Sequence, residues 1–279
     1  MIEKIYTIPI NESFEERCGC PVCRLHAKAR EKALEYITGS AMMEPAIRIQ
    51  SNEQGFCREH LADMLAMKTK LSLGLMLESH LDEVYKQVFR NAKGIVFGKS
   101  FDGNKLAAAA RKAHDSCFVC NSLAEEMGHY IRNIVFMWKN EYEFRDLYRE
   151  QEGFCLPHMA DLLELAAKKM SKKEFAEFAQ VTGERAEAMH NGVREDLSTF
   201  TKSFDYRNAD TPLTDRVKAS VERTAAYLSS DKKSENANLR RLPFWQVAEV
   251  FCGKQDGRAQ RPSPTAAEPF YFPSRPITR

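Results

Sequence analysis

Cys20-Pro-Val-Cys23, followed by Gly55-Phe-Cys-Arg-Glu-His60, is a cysteine and histidine pattern that the chain repeats. The second copy reads Cys117-Phe-Val-Cys120, followed by Gly153-Phe-Cys-Leu-Pro-His158, and lies 97 or 98 residues further along the chain. Three thiolates and one imidazole form a complete tetrahedral ligand set for zinc. The two copies, nearly in register, therefore predict an internal duplication with one metal site for each copy.

The predicted ligands are Cys20, Cys23, Cys57 and His60 from the first copy, and Cys117, Cys120, Cys155 and His158 from the second. We expect two structural zinc ions per chain, because each ligand set is complete and joins distant segments. An iron–sulfur cluster is the alternative cofactor, since histidine can replace a cysteine in such centres. Reactive dithiols without metal are a further alternative. Pairing within each copy is simpler than pairing across copies, but the sequence leaves both possible.

The composition limits the classes of function. The chain has 279 residues, with 41 basic and 39 acidic side chains, so it carries no general charge for binding nucleic acid or an anionic membrane. It contains no apolar run long enough for a membrane helix and does not start like a signal peptide. We therefore expect a cytoplasmic protein, where eight cysteines indicate metal or thiol chemistry rather than a disulfide framework.

Helical periodicity of apolar residues dominates the chain and predicts an all-α fold. The exception is residues 5–10, where apolar and polar residues alternate around Pro9, which predicts a short extended N-terminal arm. We expect a first helical metal-binding unit at residues 1–97 and a second at residues 98–229. Residues 230–279 are rich in polar residues, proline and glycine, which predicts a largely disordered tail with a short apolar patch at residues 242–252.

Each predicted ligand pair stands where a helix is expected to begin, and a helix N-terminus favours the negative charge of thiolates. Asp63 and Asp161 follow the two histidines by three residues, on the same helical face. Either aspartate could hold the second nitrogen of its imidazole beside the metal. The alternative is an acidic residue placed in a first turn to interact with the helix dipole.

The sequence contains no positive signal for catalysis. It lacks the phosphate-binding, dinucleotide-binding, zinc-protease and serine-hydrolase motifs, and a catalytic zinc generally leaves one position to water. We therefore expect a zinc-bound scaffold or adaptor for a protein partner, in an oligomeric state that the sequence does not determine. The alternative is an iron–sulfur or thiol-based redox or sensor protein.

Ile5-Tyr-Thr-Ile-Pro-Ile-Asn-Glu12, Leu34-Glu-Tyr-Ile37 and Met42-Met-Glu44, together with the first cysteine motif, resemble an uncharacterised bacterial family. That family is similar in its helical character and in its doubled C-x-x-C and G-F-C-x-x-H pattern. The resemblance covers roughly residues 1–230 and implies no activity. It supports the pairing of the eight ligands named above.

Overall fold

The structure, a computed structural model, describes residues 4–90, 103–205, 207 and 212–229. This part of the chain is helical and contains no strand, which confirms the predicted all-α class. Short 3₁₀ segments lie at Lys4–Tyr6 and Ser40–Met43, and a π-helical segment lies at Tyr85–Arg90. The twelve α-helices of the described ranges are α1 Thr7–Glu15, α2 Pro21–Thr38, α3 Pro45–Gln54, α4 Arg58–Ala66, α5 Lys70–Val84, α6 Gly103–His114, α7 Phe118–Asn140, α8 Tyr142–Arg149, α9 Leu156–Lys169, α10 Lys172–Lys202, α11 Asp215–Lys218 and α12 Ser220–Ser229.

Helices α2 and α7, which both begin at a C-x-x-C motif, pack against each other. They contribute to one apolar core that contains buried residues of both copies, among them Leu25 and Ile134. In the part of the core formed by the second copy, the rings of Trp138, Phe154 and Phe178 pack around Tyr148 in edge-on or tilted orientations. The two copies therefore share their interior, and the division at residue 97 remains a prediction.

The N-terminal segment is helical, so the predicted extended arm is wrong. Helix α1 buries Ile10 and Phe14, which are four residues apart and share one helical face. Pro9 lies in the first turn of α1, where its missing N–H would have no partner within the helix. The apparent period-two alternation is too short to outweigh the burial of these two side chains.

Two helix boundaries are set by local contacts. Helices α4 and α5 are separated at an extended Met67, and α5 packs on α3. Helix α11 begins at Asp215, with the Thr214 hydroxyl accepting the Val217 amide at 3.3 Å. The predicted tail at 230–279 and its apolar patch at 242–252 lie outside the described residues.

Candidate metal centres

The eight predicted ligands form two compact groups. Site 1 consists of Cys20, Cys23, Cys155 and His158, and site 2 consists of Cys57, His60, Cys117 and Cys120. Within each site all four potential ligand atoms lie within 4.8 Å of one another. None of the six thiols forms a disulfide. Either group could hold a metal ion with ligands from the protein alone.

The sites are crossed between the copies. Site 1 joins the first C-x-x-C motif to the second C-x-x-H motif, and site 2 joins the second C-x-x-C motif to the first C-x-x-H motif. The simpler arrangement within each copy is therefore not the one observed. Each site links the first half of the chain to the second half.

Every ligand pair occupies the start of a helix. Cys20, Cys57, Cys117 and Cys155 are the N-cap residues of α2, α4, α7 and α9, with extended backbone angles. The second ligand of each pair lies three residues later, in the first turn, so both side chains reach the same point. Each site therefore lies between two helix N-termini, whose unpaired amides and dipoles favour a cluster of thiolates.

The distances within the two sites are similar. In site 1, His158 Nδ1 lies 3.1 Å from Cys155 Sγ, 3.3 Å from Cys23 Sγ and 3.7 Å from Cys20 Sγ. In site 2, His60 Nδ1 lies 3.3 Å from Cys57 Sγ and 3.4 Å from the sulfurs of Cys117 and Cys120. Both imidazoles present the same nitrogen, Nδ1, to the three sulfurs.

The crowded thiols influence one another's ionisation. Hydrogen bonds from Cys120 and Cys57 lower the pKa of Cys117 to about 2. Hydrogen bonding to Cys117 and Cys57 in turn raises the pKa of Cys120 far above its usual value. One thiolate thus ionises readily while its neighbour resists, because like charges at this spacing repel. A bound cation removes that conflict, and all three thiols can then serve as thiolates.

In each copy, the glycine two residues before the third cysteine lies very close to a neighbouring helix. Gly55 has φ +64° and ψ −158°, and an added Cβ would lie 2.7 Å from the ring of His80 on α5. At Gly153 an added Cβ would lie 2.3 Å from Met189 Cβ and 2.5 Å from the Arg185 carbonyl oxygen on α10. Both loops therefore approach a neighbouring helix more closely than any other residue would allow.

The residue before that glycine connects the two loops of each site. In site 1, Glu152 Oε2 accepts the Gly19 amide at 2.5 Å, next to Cys20. In site 2, the Gln54 carbonyl accepts the Ser116 hydroxyl at 2.7 Å, next to Cys117. The sequence analysis did not predict either contact. Glu152 and Gln54 occupy matching positions in the two copies, so a comparison of the copies could have drawn attention to them.

The residue after each C-x-x-C motif also differs in charge. Arg24 is buried beside site 1 and donates from Nε to the Ser13 carbonyl at 3.1 Å. Asn121, at the matching position in site 2, is exposed and donates to Gln54 Oε1 at 2.8 Å. Site 1 thus has a nearby guanidinium, whereas this position in site 2 carries a neutral amide.

The sequence left two roles open for Asp63 and Asp161: to hold the second nitrogen of the imidazole or to interact with the helix dipole. The Asp63 carboxylate accepts Arg30 Nε at 3.0 Å and forms a salt bridge with the same guanidinium. That contact ties α4 to α2, and a role of Asp63 beside His60 remains a prediction. For Asp161 the predicted role beside His158 remains a prediction.

The two sites differ in burial. In site 1, Cys20, Cys155 and His158 are 4%, 1% and 2% exposed. Cys23 is partly exposed. In site 2, His60 and Cys117 are buried, but Cys57 and Cys120 are partly exposed.

The fold and the two sites define an all-α protein with two crossed Cys₃His groups, each able to hold a metal ion. The model of a family of unknown function, DUF6062, matches residues 1–235, and the chain belongs to this family. The predicted family resemblance is thereby confirmed. No curated protein and no solved structure matches the chain. Among the described residues, no helix has the length and apolar character needed to cross a membrane.

Proposed function

We propose that the protein binds two zinc ions as structural links between its two halves, and that it serves as a scaffold for a protein partner. The observation that carries the metal assignment is the pair of closed Cys₃His groups between helix N-termini. With three thiolates and one imidazole, no ligand position is left for substrate or water. The proposed role of the metal is therefore structural.

The geometry supports zinc in particular. A tetrahedral ion with Zn–S bonds of about 2.3 Å holds its sulfurs about 3.8 Å apart. Cys57 Sγ and Cys120 Sγ are 3.8 Å apart, and Cys23 Sγ and Cys155 Sγ are 3.5 Å apart. An iron–sulfur cluster is the alternative, but such clusters prefer four thiolates. A cytoplasmic location remains a prediction.

Elemental analysis of the purified full chain tests the metal assignment. We expect about two zinc ions per chain and a colourless protein, because both ligand sets are complete. A strong chelator should lower the melting temperature steeply, since metal binding contributes to folding. Iron with inorganic sulfide and a brown colour would contradict the zinc assignment in favour of the cluster.

Exposed apolar side chains support the proposed protein partner. Leu71 and Leu81 on α5 are 77% and 67% exposed, and Phe89 in the following π-helical segment is 50% exposed. Large apolar side chains exposed to solvent are candidates for an interaction surface. We propose that a partner binds this surface, called the α5 surface below.

The partner proposal is tested with Leu81→Ser in cross-linking experiments on the full chain. Leu228→Ser on α12, where the leucine is 56% exposed, is the matched control. We expect one protein cross-linked by the wild type to be lost in Leu81→Ser and kept in Leu228→Ser, with melting unchanged in both variants. Equal cross-linking of that protein by both variants would reject the α5 surface as the docking site.

A further inference from the structure

Sites 1 and 2 contain the same ligand types in different surroundings. Two of the three sulfur ligands of site 2, Cys57 and Cys120, belong to partly exposed residues, and their sulfurs are 3.8 Å apart. In site 1, Cys20 and Cys155 are almost fully covered and only Cys23 is partly exposed, so site 1 has one partly exposed sulfur residue where site 2 has two. An oxidant or chelator in solution can therefore reach site 2 more easily than site 1.

The charges around the two sites strengthen this difference. Three thiolates, one neutral imidazole and a divalent ion carry a net charge of −1. In site 1 this charge lies near the guanidinium of buried Arg24, which also pairs with Glu16 at 3.4 Å. In site 2 the position that matches Arg24 holds the neutral amide Asn121. A neighbouring cation stabilises an anionic centre in a medium of low polarity, so site 1 should hold its metal more firmly.

We propose, on the premise that both sites bind zinc, that site 2 is a hydroperoxide-sensitive switch. A hydroperoxide converts Cys57 and Cys120 to a disulfide and releases the zinc of site 2, while site 1 keeps its ion. The proposal deepens the zinc-binding function by giving the two ions different roles. The site 1 ion stabilises the fold, and loss of the site 2 ion is the response to the oxidant.

The chemistry balances with hydrogen peroxide as the oxidant. The Cys57 thiolate attacks one oxygen, the O–O bond breaks, and with one proton the products are a sulfenic acid and water. The Cys120 thiolate then attacks that sulfur and, with a second proton, releases a second water as the disulfide forms. Two electrons pass from the two sulfurs to the peroxide. Cys117 and His60 alone are too few ligands to retain the ion against a chelator.

The two sulfurs are well placed for this step. Cys57 is the N-cap of α4 and Cys120 lies in the first turn of α7, so each is held at the end of a rigid element. Their separation of 3.8 Å must shorten to the disulfide length of about 2.05 Å. Rotation of two partly exposed side chains can supply that movement without displacing the buried ligands of site 1.

The test uses the wild-type full chain with its zinc content measured first. Hydrogen peroxide is added in the presence of a chromogenic zinc chelator, and released zinc is followed with time. Remaining thiols are then alkylated and the disulfides are mapped by mass spectrometry. We expect the first zinc to leave about tenfold faster than the second or more, since thiol oxidation follows exposure. The first product should contain a Cys57–Cys120 disulfide and unmodified Cys20, Cys23 and Cys155.

Three other outcomes would each overturn the proposal. Equal release rates for the two ions would remove the proposed difference between the sites, and so would a first disulfide between Cys23 and Cys155. In both cases the two-zinc function would stand. A purified chain without zinc would instead overturn the proposed function together with the switch.

Discussion

At the scale of single residues, Gly55 shows how a motif position can be required without touching the metal. Its backbone angles lie in a region that is almost restricted to glycine. Its carbonyl also accepts the Phe118 amide at 2.9 Å, which connects the loop before Cys57 to the helix that carries Cys120. A change at Gly55 should therefore disturb site 2 through the backbone rather than through a ligand.

We expect Gly55→Ala to lower the free energy of unfolding by about 1–3 kcal/mol, the usual cost of such a backbone conformation in a residue with a Cβ. The new Cβ must also displace the His80 ring, which lies 2.7 Å from its position. Chemical denaturation of the zinc-loaded chain measures the effect.

Gly74→Ala is the matched control, because Gly74 lies on the exposed side of α5 with nothing within 4 Å of the added Cβ. We expect it to be neutral or to stabilise by about 0.5–1 kcal/mol, since alanine is the better helix former. Equal destabilisation by the two substitutions would contradict the role assigned to Gly55.

At the scale of elements, α10 begins with a capping box formed by Ser171 and Glu174, a spacing that is typical of a helix start. The Ser171 hydroxyl accepts the Glu174 amide at 3.4 Å, and the Glu174 carboxylate accepts the Ser171 amide at 2.8 Å. Loss of an N-cap hydroxyl typically costs about 1 kcal/mol. We expect Ser171→Ala to lower the unfolding free energy by about that amount, measured by denaturant titration.

Lys172→Ala, at the next position of the same helix, should change stability by less than about 0.5 kcal/mol, because Lys172 is exposed. If both variants lose the same stability, the capping box has no special part in starting α10.

A charged network joins α10, α11 and α12 to the site 1 loop. Arg223, which is 1% exposed, contacts Asp196 Oδ2 at 2.5 Å and Glu152 Oε1 at 3.7 Å. Arg216 pairs with the same two carboxylates at 2.7 and 2.9 Å. Since Glu152 also accepts the Gly19 amide, the network ties these C-terminal helices to the loop that precedes Cys20.

This network predicts a loss of stability in acid. Burial raises the pKa of Asp196, but hydrogen bonds from Arg216 and Arg223 outweigh it and lower the pKa below its usual value. A carboxyl with a lowered pKa in the folded state stabilises the fold above its unfolded pKa, and this contribution disappears as the pH falls through the folded pKa. We therefore expect the loss below about pH 4, the ordinary range of an aspartate.

Denaturant titrations of wild type and Asp196→Asn between pH 3 and pH 7 measure this contribution. Acid also removes metal from thiolates in both proteins, so the informative quantity is the difference between them at each pH. We expect wild type to be more stable at neutral pH and the difference to shrink in acid. A difference that stays constant with pH would show that Asp196 does not act through its charge.

The elements were predictable to the extent that their signals are local. Apolar periodicity predicted the all-α class, and the four ligand pairs predicted the starts of α2, α4, α7 and α9. The prediction of an extended arm at residues 5–10 was wrong because six residues are too few to distinguish a strand period from a helix turn. Burial of Ile10 and Phe14 on one face favours the helix. The break at Met67 has no proline or glycine to mark it and depends on how α5 packs against α3.

At the scale of the whole molecule, the sequence predicts the eight ligands but cannot say which pairs combine. Both copies offer the same ligand types at the same spacing, so the within-copy and crossed arrangements satisfy zinc equally well. The packing of α2 against α7 and of α9 against α7 brings distant parts of the chain together, and this information is not local. Crossed sites make each metal a link between halves, so neither half completes a site from its own residues.

The crossed arrangement predicts a specific pattern of metal loss in double variants. Cys20→Ser and His158→Ala both affect site 1, so combining them should leave about one zinc per chain, like either single variant. Cys20→Ser with His60→Ala affects both sites and should remove both ions. The two pairs change the same residue types, so they are matched controls for each other. Zinc per chain is measured by elemental analysis, and the melting temperature should fall further in the second pair because losses at independent sites add. Ligands that paired within each copy would reverse the pattern, with the second pair keeping one zinc and the first losing both.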